Sequence, residues 1–287
     1  MSDLDLLSGA ATDLFRRECP PEVVAQAERD GWAPRLWSAL EESGLARVAL
    51  DAGREDALAV VRVAARFAAP VPLAETVLAH MLEPELGDGP LSVAAGGRAA
   101  YGRFAVRLAG GPRFEVNPDV NYAGEPWDRV DPAGFDPMLV EGALVRSVQM
   151  AGALDTVLDL TVAYAGEREQ FGSPLNRFQA VQQHLALLAA EVAEAGAAAG
   201  AAVANVDELH VAAAKVRCGE AAGVAAALAH QVHGAIGFTD EHRLQQFTRR
   251  LWSWREDFGG EAQWAIRLGR LVAAIGPEAA WEATAPG

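Results

Sequence analysis

Cysteine is scarce in this chain: 287 residues include only two, Cys19 and Cys218. Two cysteines cannot build a disulfide framework, and no group of Cys and His has the spacing of a structural zinc site. The acidic N-terminal residues 1–5 also lack the basic segment with which a signal peptide begins. Together these absences predict a cytoplasmic protein without a resident metal.

Positive charge is scarce as well, with 24 Lys and Arg against 39 Asp and Glu and a formal net charge of −15. A surface that binds nucleic acid needs clustered cations, so we expect no nucleic-acid partner. A single basic corner can still bind a phosphate group inside an acidic protein.

Long uncharged apolar runs are missing too. The alanine-rich runs near 186–203 and 211–229 are interrupted by Glu191, Glu194 and Lys215. Such runs are typical of core helices in a bundle, so we expect no membrane partner. Apolar residues nevertheless make up 51% of the chain, which allows a sizeable core.

The composition changes along the chain. Residues 1–86 have apolar residues at helical spacing, which predicts helices over 32–40, 55–69 and 73–81. This part is therefore predicted to be an N-terminal helical domain.

Residues 87–135 are richer in Gly and Pro, and short apolar runs alternate there with turn residues. The pattern predicts short strands over 91–94, 104–108 and 113–116, with a hairpin turn at 110–112. The region is too short for a full barrel or sandwich, so we expect a reduced β middle domain.

Residues 136–287 have an almost continuous helical pattern. Helices are predicted near 137–167, 176–203, 206–234, 240–255 and 260–275. The central ones are rich in alanine, which permits close antiparallel packing in an up-down bundle. The predicted fold class is therefore mainly α.

Two segments at corners of this bundle carry unusual residues. The first is Arg168–Gln179 (REQFGSPLNRFQ) and the second is Gln231–Phe238 (QVHGAIGF). An arginine can give a pyrophosphate two parallel hydrogen bonds, and glutamines can pair with ribose or adenine edges. Gly234 and Gly237 would let the backbone approach a ligand closely. This chemistry fits a dinucleotide.

Each of these residues also has an ordinary structural explanation. Arg168 alone is typical of a surface ion pair, and Phe171 of apolar packing. His233 beside a glycine is typical of a side chain that satisfies a carbonyl at a helix end. Taken singly, each residue favours its ordinary explanation.

The two segments resemble the flavin-binding signatures of the acyl-CoA dehydrogenase family. The resemblance covers roughly residues 135–275, and the order of helical, β and helical regions is also that of the family. It implies an acyl-CoA dehydrogenase-like fold, FAD as cofactor and an acyl-CoA thioester as the substrate of an α,β-dehydrogenation.

The resemblance also implies which residues contact the cofactor. They are Arg168, Gln170, Phe171, Gln179, Gln231, His233, Gly234 and Ala235. In the family these positions touch an FAD held mainly by the neighbouring subunit. The resemblance therefore implies an oligomer.

The catalytic base of the family is missing from its expected positions. In the family a carboxylate takes the α-proton while the flavin takes a hydride from the β-carbon. The commonest subgroup keeps that base in a Glu-Gly pair, which falls here on Phe258-Gly259, and another subgroup keeps it near Gly142. Glu141, Glu256 and Asp257 lie beside these positions, but one residue along a helix turns a side chain by about 100°.

The resemblance is weaker in the middle region. The family's strand that covers the flavin ring has no counterpart between 87 and 134, and its glycine turn is missing near 51–53. Some bacterial members, including those that act on steroid side-chain CoA esters, are heteromers of a complete chain and a degenerate one. This sequence resembles the degenerate chain, which implies that a second acyl-CoA dehydrogenase subunit supplies the catalytic Glu.

Two alternatives stay open. The chain could be a homomeric acyl-CoA dehydrogenase whose base is one of the displaced carboxylates Glu141, Glu256 or Asp257. It could also be a flavin-free scaffold or interaction protein that keeps only the fold. No catalytic residue of this chain is assigned.

Overall fold

The computed structural model describes residues 2–93, 98–101, 104, 119–120, 126–129, 136–276, 278–279 and 282. Two helical regions flank a small sheet, and helices dominate the described residues. The predicted fold class, mainly α with a reduced β region between helical parts, is confirmed.

The N-terminal region consists of short helices. They are α1 (Asp3–Glu18), α2 (Pro21–Asp30), α3 (Pro34–Glu42), α4 (Val48–Asp51), α5 (Arg54–Arg66) and α6 (Leu73–Leu82), with a 3₁₀ turn at Leu45–Arg47. Proline opens α2 and α3, where its missing N–H costs no hydrogen bond. Gly31 follows α2 with a φ of 90°, a conformation that glycine adopts readily.

The described strands of the middle region form a three-stranded antiparallel sheet. They are β1 (Arg98–Ala100), β2 (Asp119–Val120) and β3 (Pro126–Arg129), and β3 lies in the centre. The strands are too short for an alternation of apolar and polar residues to fix their register. The sheet is defined by the backbone pairing of β1 and β2 with β3.

The sequence predicted strands in this region at other positions. Over 91–93 the chain forms only a bridge, in which the N–H of Ser92 donates to the carbonyl of Phe104 at 2.9 Å. Phe104 itself lies in a 3₁₀ turn. The rest of the predicted strand over 104–108, the strand over 113–116 and the turn at 110–112 lie outside the described residues.

The C-terminal region is a bundle of long helices. They are α7 (Asp136–Glu167), α8 (Gln179–Ala204), α9 (Glu208–His233), α10 (Leu244–Glu256) and α11 (Glu261–Ile275). All five predicted helices are confirmed within a few residues. A two-stranded hairpin, β4 (Glu169–Gln170) and β5 (Ser173–Pro174), joins α7 to α8.

The N-terminal helices pack directly on the bundle. A β-carbon at Gly152 of α7 would lie 2.3 Å from the carbonyl oxygen of Arg62 in α5, so glycine is what lets these two helices cross closely. The buried apolar residues form one hydrophobic cluster, with members from α1 to α11. The division into domains 1–86, 87–135 and 136–287 therefore stays a prediction.

Helix α8 has two different faces. Its inner face is buried, and the buried residues are Leu188, Val192, Ala195, Ala199 and Ala202. Its most apolar stretch has a mean hydropathy of 1.5, yet only 28% of that stretch is buried. By length and composition α8 is the one helix among the described residues that could cross a membrane.

Candidate functional site

The hairpin between α7 and α8 forms the first corner of the bundle. Its two-residue turn, Phe171 and Gly172, has positive φ angles of 54° and 79°. Such a turn favours Asn or Gly at its first position, so phenylalanine is unusual there. Phe171 is 93% exposed, and its ring forms a T-shaped pair with the ring of Phe178, with centroids 6.3 Å apart.

The end of α9 forms the second corner, where Gly234 turns the chain with a φ of 64°. No atom lies within 4 Å of a β-carbon built on Gly234, so its backbone is open to a ligand. Gly237 has a different role. A β-carbon there would lie 2.9 Å from Cβ of His233, so this glycine makes room for packing within the chain.

The two corners enclose a cleft of about 540 Å³. It is lined by Tyr164, Arg168, Gln170, Leu175, Ala180, Val181, His184, Gln231, Val232, His233, Gly234, Ala235 and Ile236. Six of the eight residues predicted to bind the cofactor are in this lining. The two others, Phe171 and Gln179, are exposed at the rim and do not line the cleft.

Two further polar residues of the cleft, Tyr164 and His184, were not predicted from the sequence. Tyr164 lies one helical turn before Arg168 on α7, and His184 lies one turn after Ala180 on α8. Residues one turn apart share a helix face, so helical spacing from the motif was the signal that could have identified Tyr164.

The charge of the cleft is positive in a strongly acidic protein. Arg168 is exposed and forms no ion pair with any residue that the structure describes. None of the residues that line the cleft is acidic. A guanidinium that is free of a carboxylate partner can bind a phosphate group through paired hydrogen bonds.

His233 forms a neutral wall of the cleft. Its Nδ1–H donates to the carbonyl of Ala229 at 2.8 Å, as the ordinary explanation of this residue predicted. Its ring stacks on Tyr164 at 4.5 Å and lies 4.5 Å from His242. Burial, opposed by the bond to Ala229, lowers the pKa of His233 to about 4. The ring is therefore uncharged at pH 7.

Phe258 and Gly142, the two positions where a base was expected, lie against each other. A β-carbon on Gly142 would be 2.1 Å from the ring of Phe258. That ring is only 8% exposed, and the guanidinium of Arg146 lies 5.6 Å from its centre. A phenyl ring thus fills the space beside α7, and neither position offers a proton acceptor.

The carboxylates beside these positions have other partners or face solvent. Glu141 accepts a hydrogen bond from Arg54 at 2.8 Å, and Asp257 accepts one from Arg146 at 3.1 Å. The side chain of Glu256 is 57% exposed.

Several hydrogen bonds hold Phe258 in its unusual conformation, with a φ of 55°. Nζ of the buried Lys215 donates to the carbonyls of Trp254 and Arg255 at 3.1 and 2.7 Å, which caps the end of α10. Nε1 of Trp264 donates to the carbonyl of Phe258 at 2.8 Å. Burial lowers the pKa of Lys215 to about 8.

The cleft and the Phe258 position lie at opposite ends of α7. Gly142 is near the start of this helix and Tyr164 is near its end. These residues are 22 positions apart, which at 1.5 Å per residue corresponds to about 33 Å. The cleft and the Phe258 position are therefore separate places in the chain.

Comparison with known proteins identifies the bundle. Residues 137–259 match the family model of the acyl-CoA dehydrogenase C-terminal domain. The chain is 29% identical to acyl-CoA dehydrogenase IpdE2 of Mycolicibacterium smegmatis over 86% of this chain and 91% of that protein.

Solved structures show the same fold. A chain of the ChsE4-ChsE5 complex from Mycobacterium tuberculosis superimposes with a TM-score of 0.78 at 20% identity, over 96% of this chain and 99% of that one. A variant of the Tcur3481-Tcur3483 steroid ACAD gives a TM-score of 0.80 at 20% identity, over 95% and 98% of the two chains. Residues 137–259 thus match an acyl-CoA dehydrogenase C-terminal domain, and the chain has the fold of these structures.

Proposed function

We propose that this chain is a subunit of a heteromeric acyl-CoA dehydrogenase. It contributes one wall of an FAD site shared with an unlike chain, and that partner supplies the carboxylate that removes the α-proton. The observation that carries the proposal is the contact between Phe258 and Gly142. The ring of Phe258 fills the place where the family would have its catalytic base. Along α7 this place is about 33 Å from the cleft, at 1.5 Å per helical residue.

The residues of the cleft fit part of an FAD molecule, the cofactor of acyl-CoA dehydrogenases. Arg168 would bind the pyrophosphate, because it has no carboxylate partner among the described residues. Gln170 and Gln231 would pair with sugar hydroxyls or adenine edges, and the open backbone at Gly234 permits close approach. Bound FAD supplies the acceptor for the hydride.

The two predicted residues outside the lining keep a role at its rim. Phe171 and Gln179 lie next to Gln170 and Ala180, which do line the cleft. We expect them to contact whatever closes the cleft from outside. Since the cleft is open and lies at the other end of α7 from Phe258, we expect the closing surface to belong to another chain.

The relatives support an unlike partner. The structural neighbours named above are a ChsE4-ChsE5 complex and a Tcur3481-Tcur3483 steroid ACAD, each described by two different chain names. By this analogy the substrate is the CoA ester of a bulky acyl group such as a steroid side chain. A cytoplasmic location and the three-domain division 1–86, 87–135 and 136–287 belong to the same proposal.

A second candidate, the homomeric enzyme, is favoured by one observation. Oε2 of Glu141 is buried without a hydrogen-bond partner among the described residues, while Oε1 is held by Arg54 at 2.8 Å. A bare buried carboxylate oxygen is costly, and proton acceptance would account for it. In this alternative Glu141 is the base.

The test is the absorbance spectrum of the chain purified alone and co-expressed with the product of the neighbouring gene, which we predict to be a complete acyl-CoA dehydrogenase chain. We expect a flavin spectrum only after co-expression. Arg168→Ala should reduce the FAD content of the complex, because it removes the cation from the cleft. Arg177→Ala is the matched control, since Arg177 is exposed at the same corner but does not line the cleft.

The other outcomes separate the alternatives. A chain that is yellow by itself and is reduced by an acyl-CoA would support the homomeric enzyme, and Glu141→Gln should then abolish reduction. FAD content that is equal in Arg168→Ala and Arg177→Ala would contradict the proposed role of the cleft.

A further inference from the structure

A second pocket lies in the N-terminal region, where α1, α2 and α3 meet. Its volume is about 520 Å³, which is a usual size for a pocket that binds a small molecule. The pocket is formed by the end of α1, one side of α2 and the turn that leads into α3. It shares no residue with the cleft of the bundle, so its occupant is separate from the cofactor proposed above.

The inner wall of this pocket is apolar. Val23 and Ala27 lie one helical turn apart on α2, and Leu36 of α3 is 1% exposed. Trp32, in the turn between the two helices, also lines the pocket. Its ring packs edge-on against the ring of Phe104, with centroids 4.6 Å apart. Such a wall favours an apolar or aromatic group of a ligand, because contact with the wall removes the surface of that group from water.

The rim of the pocket carries two unpaired charges of opposite sign. Asp30 ends α2, Arg35 lies in the first turn of α3, and both side chains are exposed. The carboxylate of Asp30 accepts a hydrogen bond from Nε2 of Gln26 at 2.7 Å, but it has no cation as partner among the described residues. Arg35 likewise forms no ion pair with any residue that the structure describes. The two charges thus line one pocket without pairing with each other.

The other charged residues of the rim neutralise each other. Nε of Arg17 lies 2.7 Å from Oε1 of Glu18, so these two neighbours form an ion pair at the end of α1. The pair carries no net charge. Asp30 and Arg35 are therefore the charges of this rim that are available to a ligand.

We infer that this pocket binds a small zwitterion with an apolar or aromatic side group, which is the chemistry of a free apolar α-amino acid. The carboxylate of the ligand accepts paired hydrogen bonds from the guanidinium of Arg35, and its ammonium group donates to Asp30. The side group of the ligand packs on Trp32. A free amino acid carries both charges on one carbon, whereas the end of a peptide chain offers only one of them.

The experiment measures binding to the full chain by equilibrium dialysis, with three probes that have the same aromatic body. L-phenylalanine carries both charges, phenethylamine carries only the ammonium group, and hydrocinnamate carries only the carboxylate. We expect L-phenylalanine to bind at least about tenfold more tightly than either of the others, because each of them lacks one charge-assisted contact.

Two variants test which residue meets which charge. Arg35→Gln should weaken the binding of L-phenylalanine by about tenfold and leave that of phenethylamine unchanged. Asp30→Asn should weaken L-phenylalanine in the same way and leave hydrocinnamate unchanged. Both changes keep the size of an exposed side chain, and the new Asn keeps an oxygen for the bond from Gln26.

The matched control is Arg16→Gln. Arg16 is 69% exposed on the same helix as Arg17 but does not line the pocket. Its loss should change the affinity for L-phenylalanine less than about twofold, as expected for an exposed charge outside a site. An equal loss of affinity in Arg16→Gln and Arg35→Gln would show a general effect of charge and overturn the role of Arg35.

Two further results would overturn the inference. Equal affinity for the three probes would mean that the apolar wall alone binds them and that the rim charges do not select a zwitterion. No binding of any probe at about 10 mM, a concentration that detects even millimolar affinity, would overturn the pocket as a site. Either result would leave the proposed heteromer intact, because the pocket is separate from the cleft.

Discussion

At the scale of single residues, Gly142 and Phe258 form a matched pair. The ring of Phe258 occupies the volume that any larger side chain at 142 would need. Gly142→Ala should therefore destabilise the protein by about 1–3 kcal/mol through overpacking, although alanine normally favours a helix. Urea unfolding measures the loss.

The control for this change is Gly200→Ala in α8. Nothing lies within 4 Å of a β-carbon at Gly200, so the helix propensity of alanine should stabilise the protein by up to about 1 kcal/mol. The cost of Gly142→Ala should shrink when Phe258 is also replaced by Ala. Equal gains of stability in the two glycine variants would contradict the close packing of Phe258 on Gly142.

The lowered pKa of His233 predicts a loss of stability in acid. Its folded-state pKa is about 4, below the ordinary value of 6.5, so the unfolded chain binds more protons between these pH values. The free energy of unfolding should decrease as the pH falls from about 6.5 to 4, the window set by these pKa values. Thermal unfolding of the wild type and of His233→Asn across this range measures the effect.

The variant should lose part of this pH dependence and keep the rest. Burial also lowers the pKa of His230 and His242, which lie beside His233 and charge unfavourably in the folded state. An unchanged slope in His233→Asn would contradict a lowered pKa of His233.

Some residues of the site could be predicted from the sequence and others could not. Arg168, Gln231 and Gly234 stand in local motifs whose chemistry is visible in the order of residues. The contact between Phe258 and Gly142 joins two distant segments, so only the packing of α7 against the end of α10 could reveal it.

At the scale of elements, helix ends are set by local hydrogen bonds. Asp207 caps α9, because its Oδ1 accepts from the backbone N–H of His210 at 2.9 Å. Asp207→Ala should cost about 0.5–2 kcal/mol, since the orphan N–H loses its acceptor. Asp207→Asn keeps an oxygen in place and should cost much less. Equal losses in the two variants, measured by urea unfolding, would show that the charge and not the cap is important.

The long helices were predictable and the strands were not. Helices such as α8 and α9 are long alanine-rich runs of residues that favour a helix, and the cap of α9, Asp207, is part of its own local sequence. The strands β1 and β3 are three and four residues long and form by pairing with a neighbouring strand. The position of each strand in the sequence depends on the strand with which it pairs. A short apolar run does not indicate which segment that is.

At the scale of the whole molecule, Arg146 joins the N-terminal helices to the bundle. It is 2% exposed and pairs with Glu75 of α6 at 2.8 Å and with Asp257, after α10, at 3.1 Å. Arg146→Met leaves two carboxylates without their cation in a dry site, so it should cost about 3–5 kcal/mol.

The control is Arg16→Met, which removes an ion pair with Asp13 whose partners are 69% and 74% exposed. Solvent and salt screen such a pair, and its loss should cost less than about 1 kcal/mol. Urea unfolding at pH 7 compares the two variants. A small loss in Arg146→Met would mean that the two carboxylates find other partners or water.

The length of α7 has a consequence for how this protein can vary. Its 32 residues connect the filled position at Gly142 to the cleft at Tyr164 without a break. Inserting or deleting one residue between them would rotate one end against the other by about 100° and shift it by about 1.5 Å. The helix thus fixes the direction of the side chain at one end relative to the side chain at the other end, about the helix axis. Related chains that keep both features should differ in this stretch by substitution and not by length.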